Sequence, residues 1–165
     1  MSAISWWASK ARRFRKHLVA RVSPEERRAV AAWTRPAELA LFDGMHPADR
    51  RHGLDVVARL SRSGVTEREI LVAGLLHDCG KGDTGAGPRI AWSLGEVAGP
   101  WIRIAAAKVP GWAAPMARLA DHAARSADML AEAGVGARAV TLVREQDDPG
   151  DPEYGTRFLA ADDAS

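Results

Sequence analysis

Two histidines and two aspartates have the side chains that a divalent metal ion prefers in proteins. They are His52, His77, Asp78 and Asp162, in a chain that contains five histidines. Imidazole nitrogen and carboxylate oxygen suit ions such as Mn, Fe, Co, Ni or Zn. An ion held by two of each keeps open positions, so it can bind a phosphate oxygen and lower the pKa of a bound water to about 7. These residue types therefore predict metal-assisted hydrolysis, if the four side chains meet.

The apolar residues around these positions predict that the four side chains point into a helical domain. His52 has apolar residues four and eight positions later, and Asp162 follows apolar residues by three and four positions, which are helical spacings. His77 and Asp78 end a stretch, residues 70–76, that is apolar almost all round and predicts a central helix. Adjacent helical residues diverge by about 100°, but an ion beyond the helix end can be reached by both.

Three segments, in this order and spacing, resemble the H…HD…D signature of HD-domain phosphohydrolases. They read Arg51-His52-Gly53-Leu54-Asp55-Val56-Val57, Leu75-Leu76-His77-Asp78-Cys79-Gly80-Lys81 and Leu159-Ala160-Ala161-Asp162-Asp163. The step of 25 residues from His52 to His77 is typical of that family. The phrase LLHDCGK is the specific part, and the resemblance covers about residues 45–165.

The resemblance implies an all-α fold and one divalent metal ion (Mn, Fe, Co, Ni, Zn or Mg) bound by His52, His77, Asp78 and Asp162. It also implies that metal-activated water cleaves a phosphate ester of a nucleotide or another small phosphorylated metabolite. Asp163 stays open as an alternative to Asp162, because it also lies at helical spacing from apolar residues.

Two further residues take part in the activity that the resemblance implies. Lys81 looks like a cation close to the metal-bound substrate or to Asp78, where it would stabilise charge on phosphate oxygens. Some HD-domain enzymes hold a second metal with additional histidines, and His122 resembles the first of these. The next such position reads Arg144-Glu145-Gln146, in which Glu145 is a candidate ligand and Gln146 a poor one. The sequence therefore favours one metal, with His122 as an active-site wall or proton donor.

The departure at residues 144–146 also motivates a second hypothesis. A chain that kept the HD fold without turnover would be a nucleotide-sensing or regulatory binding module. Arg51, beside the first histidine, is a further candidate for contact with substrate or a second metal.

The composition predicts one all-helical domain, and the resemblance implies that residues 23–165 form an HD domain. Residues 1–22 are predicted to form an additional basic amphipathic helix. The chain has 165 residues, 47% hydrophobic and 27% charged, which is ordinary for one globular domain. Helix starts are predicted at Ser23-Pro24, Pro36, Pro47 and a capping box over residues 66–69. Further predictions are a helix end capped by Gly80, a break at Gly99-Pro100, one long helix over 113–133, another over 137–146 and a last short helix ending at Asp162.

The chain is basic at its N-terminal end and acidic at its C-terminal end, which limits the partners that its charge predicts. Residues 1–22 carry six Lys/Arg and no acid, whereas residues 143–165 carry seven acids and two Arg. A net charge of +2 is too small to predict nucleic acid as the main partner. With Trp6, Trp7 and Phe14, the basic front helix could anchor the protein peripherally on anionic lipid, but packing of these rings on the domain is the favoured reading.

The setting predicted from the sequence is cytoplasmic. Cys79 is the single cysteine, so an internal disulfide is excluded and a reducing compartment is expected. No apolar run approaches the roughly 20 residues that span a bilayer, and the N-terminus does not resemble a signal peptide.

Overall fold

The computed structural model describes residues 21–165, which form ten α-helices and one 3₁₀ turn and contain no β-strand. The all-α prediction is therefore confirmed, while the helix predicted over residues 1–22 falls almost wholly outside the described residues. The elements are α1 (Pro24–Ala31), α2 (Pro36–Gly44), α3 (Pro47–Arg62), α4 (Arg68–Leu76), the 3₁₀ turn (Cys79–Lys81), α5 (Ala86–Ala98), α6 (Trp101–Ala106), α7 (Ala113–Ala120), α8 (His122–Glu132), α9 (Ala137–Arg144) and α10 (Gly155–Asp163).

The first three helices begin where the prolines predicted. Pro24, Pro36 and Pro47 each occupy the first helical position, where a missing N–H costs no helical hydrogen bond. At α1 the Ser23 hydroxyl accepts from the Glu26 N–H (3.2 Å), and the Glu26 carboxylate accepts from the Ser23 N–H (2.8 Å). This reciprocal cap satisfies two backbone donors at once.

The capping box predicted over residues 66–69 is wrong. Helix α4 starts at Arg68 with Glu67 as its N-cap, and neither end residue of the predicted box caps it. The carboxylate of Glu69 instead accepts from the Ala139 N–H in the first turn of α9 (3.2 Å). A long-range partner has replaced the local one, and it joins α4 to α9.

Gly80 is not the helix cap that the sequence predicted. Helix α4 ends at Leu76, and Gly80 lies within the 3₁₀ turn without a positive φ. A Cβ on Gly80 would lie 2.6 Å from the His122 carbonyl oxygen and 2.6 Å from the Ser126 nitrogen. Glycine is needed there because α8 passes so close to the turn.

The long helix predicted over 113–133 is two helices, α7 and α8, which meet at Asp121 (φ −105°, ψ 13°). The break lies directly before His122, whose ring bonds back to the Leu119 carbonyl. The helix predicted over 137–146 ends at Arg144, and the break predicted at Gly99-Pro100 is confirmed between α5 and α6.

Helix α4 is the central element of the domain, as its apolar sequence predicted. It packs against α2, α3 and α9, and most of its side chains are fully buried in the main core. A second, smaller apolar cluster lies beneath α5, α6 and α7 and contains Ala91, Ala106, Met116 and Leu119. Among residues 21–165, no helix combines the length and apolarity needed to cross a bilayer.

Candidate metal centre

Three of the four predicted ligands meet at one point of the fold. His52 on α3, His77 at the end of α4 and Asp162 on α10 each offer a ligand atom, and these atoms all lie within 4.8 Å of one another. The Asp162 Oδ1 lies 2.7 Å from the His52 Nε2 and 3.2 Å from the His77 Nε2. His52 and Asp162, which are 110 positions apart in the chain, are thus in contact.

The spacing of these atoms fits a shared divalent ion. Metal–ligand bonds of about 2.1 Å at tetrahedral or octahedral angles place neighbouring ligand atoms roughly 3.0–3.4 Å apart. The two distances from the Asp162 Oδ1, 2.7 and 3.2 Å, need only small adjustments to match, and the ligand atoms of the two histidines lie within 4.8 Å of each other. Two nitrogens and an oxygen also form a donor set that Zn, Mn, Fe, Co or Ni accepts.

His77 points its Nε2 at this centre, where the Asp162 Oδ1 lies 3.2 Å away. Its side chain is 1% exposed, and its Nδ1–H donates to the Gly74 carbonyl (2.9 Å), which leaves a lone pair on Nε2. That buried Nε2 makes no hydrogen bond. Burial lowers the pKa of His77, but the charges of Asp78 and Asp162 outweigh it and raise the pKa to about 9. The two carboxylates therefore favour a cation at this nitrogen, either a proton or a metal ion.

Asp78, the fourth predicted ligand, lies at the edge of the three-residue group. Its Oδ1 is 3.6 Å from the His77 Nε2 and 3.6 Å from the His122 Nε2, and its Oδ2 accepts from the Lys81 ammonium (2.6 Å). Burial raises the pKa of Asp78, but Lys81 and His77 hold it well below its usual range. The ionised carboxylate is thus close enough to serve as a further oxygen ligand after a small movement.

His122 also reaches the site, but its accepting nitrogen is occupied. Its Nδ1–H donates to the Leu119 carbonyl (2.9 Å), and the Gln146 amide nitrogen lies 2.7 Å from its Nε2. Burial, followed by the charge of Lys81, lowers the pKa of His122. A neutral ring with its proton on Nδ1 accepts a hydrogen bond at Nε2, here from the Gln146 amide, so this geometry makes His122 a hydrogen-bond acceptor rather than a donor at Nε2.

The other two candidates for a second metal or substrate lie elsewhere. Glu145 is exposed, and its carboxylate accepts from the Gly150 N–H (3.3 Å). The Arg51 guanidinium pairs with Glu26 (2.5 Å) and Asp55 (3.1 Å). Glu145 and Arg51 thus have partners outside the three-residue group, and their predicted contact with a second metal or the substrate stays a prediction.

The choice between the two C-terminal acids is settled by position. Asp162 contacts both histidines, whereas the neighbouring Asp163 is exposed. The side chains of His52 and Asp162 are 27% and 28% exposed, while His77 is buried. The centre is therefore open to solvent on the His52–Asp162 side, where a substrate could approach.

A brace around the loop after Lys81 was missed in the sequence. Arg89 forms a buried two-point pair with Asp49 (2.8 and 2.6 Å) and donates to the Gly82 carbonyl (3.2 Å), while Arg118 donates to the Asp83 carbonyl (2.9 Å). Gly82 has a φ of 58°. Asp49 had the pattern of an ordinary first-turn acid, so no local signal indicated a partner 40 residues away.

Comparison with protein-family models, with curated proteins and with solved structures finds no match.

Proposed function

We propose that this chain is a metal-dependent phosphohydrolase. The observation that carries the proposal is the convergence of His52, His77 and Asp162, with the buried His77 Nε2 left without a hydrogen bond. Two carboxylate oxygens lie within 3.6 Å of this nitrogen, so a bound divalent cation would be attracted there and would give the Nε2 a direct bond. The resemblance to HD-domain enzymes agrees with the positions of these three residues.

The chemistry follows from the residues that surround this centre. A divalent ion bound there would supply a Lewis acid for a phosphate oxygen and an activated water. His52, His77 and Asp162 would hold the ion, with Asp78 as a further oxygen ligand. The open side of the centre leaves room for a substrate oxygen and water.

Lys81 gives the site a fixed positive charge. Burial lowers the pKa of Lys81, but the charges of Asp78 and Asp49 raise it above its ordinary value, so the ammonium stays protonated. It holds the Asp78 carboxylate in place. In the proposed reaction it also offsets the negative charge of a phosphate group bound beside it.

His122 completes the wall of the site as a neutral acceptor. Its Nε2 lies 3.6 Å from the Asp78 Oδ1 and is hydrogen bonded by Gln146. Since that lone pair is in use, we propose one catalytic metal per chain. The substrate class, a nucleotide or another small phosphate ester in a reducing cytoplasm, is proposed from the family resemblance and the single cysteine.

The decisive experiment measures metal content and phosphate release together. The chelated protein is reloaded with Mn, Fe, Co, Ni, Zn or Mg and tested on a panel of nucleotides and small phosphate esters. We expect about one bound ion per chain and turnover with at least one pair of metal and substrate. His77→Ala should lose both.

The matched control is His46→Asn, which removes a histidine outside the centre. His46 caps α3 by accepting from the Ala48 N–H, and asparagine is an equally good cap. Its metal content and turnover should equal those of the natural chain. Retention of the ion by His77→Ala would overturn the proposed centre.

A second candidate function is a nucleotide-sensing module without turnover. The observation that favours it is the Gln146 amide at the His122 nitrogen, where a catalytic two-metal centre would need a ligand. Tight nucleotide binding, without phosphate release under any of the six metals, would support this function and contradict the hydrolase. Calorimetric titration with nucleotide measures binding, the phosphate-release assay measures turnover, and the two results together distinguish a sensing module from a hydrolase.

A further inference from the structure

The large apolar side chains that residues 21–165 expose are concentrated in one short segment. They all lie between positions 90 and 109, on α5, on α6 and in the turn that follows α6. The six residues are Ile90, Leu94, Val97, Trp101, Ile104 and Val109, here called the 90–109 surface. Trp101 and Ile104 are the most open, at 64% and 61%. Concentration of exposed apolar area in one place marks an interaction site.

This surface rests on a packed base rather than on a loose loop. Ile90, Leu94 and Val97 follow helical spacing along one side of α5. On another side, Arg103 stacks over the Trp92 ring (4.0 Å) and donates to the Trp92 carbonyl (3.3 Å). The small cluster beneath α5–α7 therefore fixes the two helices to each other.

The charge around this surface is positive. Residues 86–120 carry four Lys/Arg and one acid. Arg89 is neutralised by the buried Asp49 and Arg103 pairs with Glu96 (3.4 Å), so Lys108 and Arg118 supply the positive charge. Residues 1–22 carry six Lys/Arg and no acid, so the rest of the chain holds 13 Lys/Arg against 20 acids. Lys108 is exposed between Ile104 and Val109. The apolar surface thus has an exposed cation, Lys108, within it, and residues 23–85 and 121–165 hold the excess of acids.

We propose that the 90–109 surface docks the protein onto an anionic lipid bilayer. Apolar side chains with an exposed tryptophan, flanked by cations, are the composition of an interfacial helix pair. Negative headgroups complement the cations while the acyl region accepts the apolar groups. This proposal is independent of the proposed hydrolase activity.

Charge disfavours the two other occupants. A second copy related by two-fold symmetry would place two cationic surfaces against each other. Residues 1–20 are themselves strongly cationic and would meet the same repulsion. A bilayer rich in acidic lipid is the occupant whose charge is opposite.

The first test is co-sedimentation of the full chain with vesicles of phosphatidylcholine, alone or with about 30% phosphatidylglycerol. We expect binding to the acidic vesicles only. W101E/I104E should lower the partition coefficient by about tenfold or more, because it removes the two most exposed apolar side chains. A131E/T141E is the control, since it adds the same two negative charges at exposed sites on α8 and α9.

Equal partitioning of the W101E/I104E variant and the natural chain would overturn the proposal, as would failure of the natural chain to bind acidic vesicles. Light scattering tests the second copy. A dimer of the natural chain that W101E/I104E converts to a monomer would assign the surface to self-association and would also overturn the proposal.

A site-specific probe separates this surface from residues 1–22. V97C can be labelled with an environment-sensitive dye because Cys79 is buried and its thiol pKa is raised to about 12, mainly by burial. We expect a blue shift at position 97 on acidic vesicles and none in the T141C control. Bound protein without a shift at position 97 would show that other residues carry the contact.

Discussion

His77 and His122 have the same internal arrangement but different surroundings. In each, the Nδ1–H donates to a carbonyl three residues earlier, at 2.9 Å, which fixes the ring and leaves the Nε2 lone pair available. The Nε2 of each ring lies 3.6 Å from the Asp78 Oδ1, but that of His77 also lies 3.2 Å from the Asp162 Oδ1, whereas that of His122 is hydrogen bonded by the Gln146 amide. The environment of one nitrogen therefore decides which ring can hold a cation.

The two C-terminal aspartates provide a matched pair for testing the ligand set. Asp162→Asn removes the negative oxygen that lies against both imidazoles, so we expect metal affinity to fall by about 100-fold or more. Asp163→Asn makes the same chemical change on an exposed side chain and should leave affinity within about twofold. Competition with a chromogenic chelator measures both, and equal losses would show that Asp162 is not a ligand.

Gln146 offers a gain-of-function test at the second histidine. Gln146→His puts an imidazole beside the His122 Nε2, with Asp78 nearby, so we expect a second divalent ion to bind. Elemental analysis should rise from about one ion per chain to about two. The control is Gln146→Asn, which keeps an amide and should stay at the lower value. Unchanged stoichiometry in Gln146→His would mean that this pocket cannot hold an ion.

Among the helices, the contact between α3 and α4 positions His52 against His77. Gly53, next to His52, has no room for a side chain, because a Cβ there would overlap the carbonyl oxygen of Leu75. Gly74 on α4 likewise faces Leu60 on α3, whose Cδ1 would lie 2.7 Å from an added Cβ. Small residues on both helices therefore let the backbones approach closely enough for the two imidazoles to meet.

We expect Gly53→Ala to weaken folding and metal binding together. Forcing α3 away from α4 should cost about 1–3 kcal/mol of the free energy of unfolding and move His52 from the centre. Urea denaturation and metal titration give the two values. Gly44→Ala, at a helix position with nothing within 4 Å, should change stability by less than about 0.5 kcal/mol and leave metal affinity intact. Normal metal affinity in Gly53→Ala would show that metal binding does not depend on the close contact between α3 and α4.

The sequence predicted most elements because their signals are local. Prolines and Ser23 mark helix starts through their own backbone chemistry, and the apolar pattern of α4 marks its burial. The errors at Glu69 and Gly80 have one cause, which is that each contacts a helix distant in the chain. The residue types adjacent in the sequence do not show which distant helix a residue will contact.

For the candidate site, residue type, helical spacing and the resemblance to HD-domain enzymes together predicted the three side chains that converge. The position of Asp162 against both imidazoles agrees with that prediction. Glu145 and Arg51 have other partners, Gly150 in one case and Glu26 in the other, which the sequence did not indicate. Pairing preferences of exposed charges depend on three-dimensional proximity, so the sequence alone did not reveal them.

At the scale of the whole molecule, the centre connects α3 and the end of α4 to the C-terminal α10. A ligand that binds only the folded state stabilises it by about 2.7 kcal/mol at a concentration one hundred times its Kd. For a chain of this size that free energy corresponds to a rise in Tm of roughly 5–10 °C. Calorimetry with the preferred metal, and again after chelation, should show this difference.

Amide hydrogen exchange shows which helices the bound metal stabilises. The amides of α10 should exchange more slowly with metal than without it, because Asp162 would tie the helix to α3 and α4. In Asp162→Asn the metal should change neither Tm nor exchange. Metal protection confined to α3 and α4 would show that α10 does not take part.

Residues 86–120 carry four Lys/Arg and one acid, whereas residues 23–85 and 121–165 together carry 13 Lys/Arg and 20 acids. Within residues 23–165 this separation of charge amounts to an electric dipole. Near a charged plane, a dipole experiences a torque as well as an attraction, so the molecule turns while it is still diffusing. The field reaches only about 8 Å at physiological ionic strength, and this turning is confined to the last stage of approach. Added salt should therefore slow productive encounters more than it loosens the apolar contact that follows.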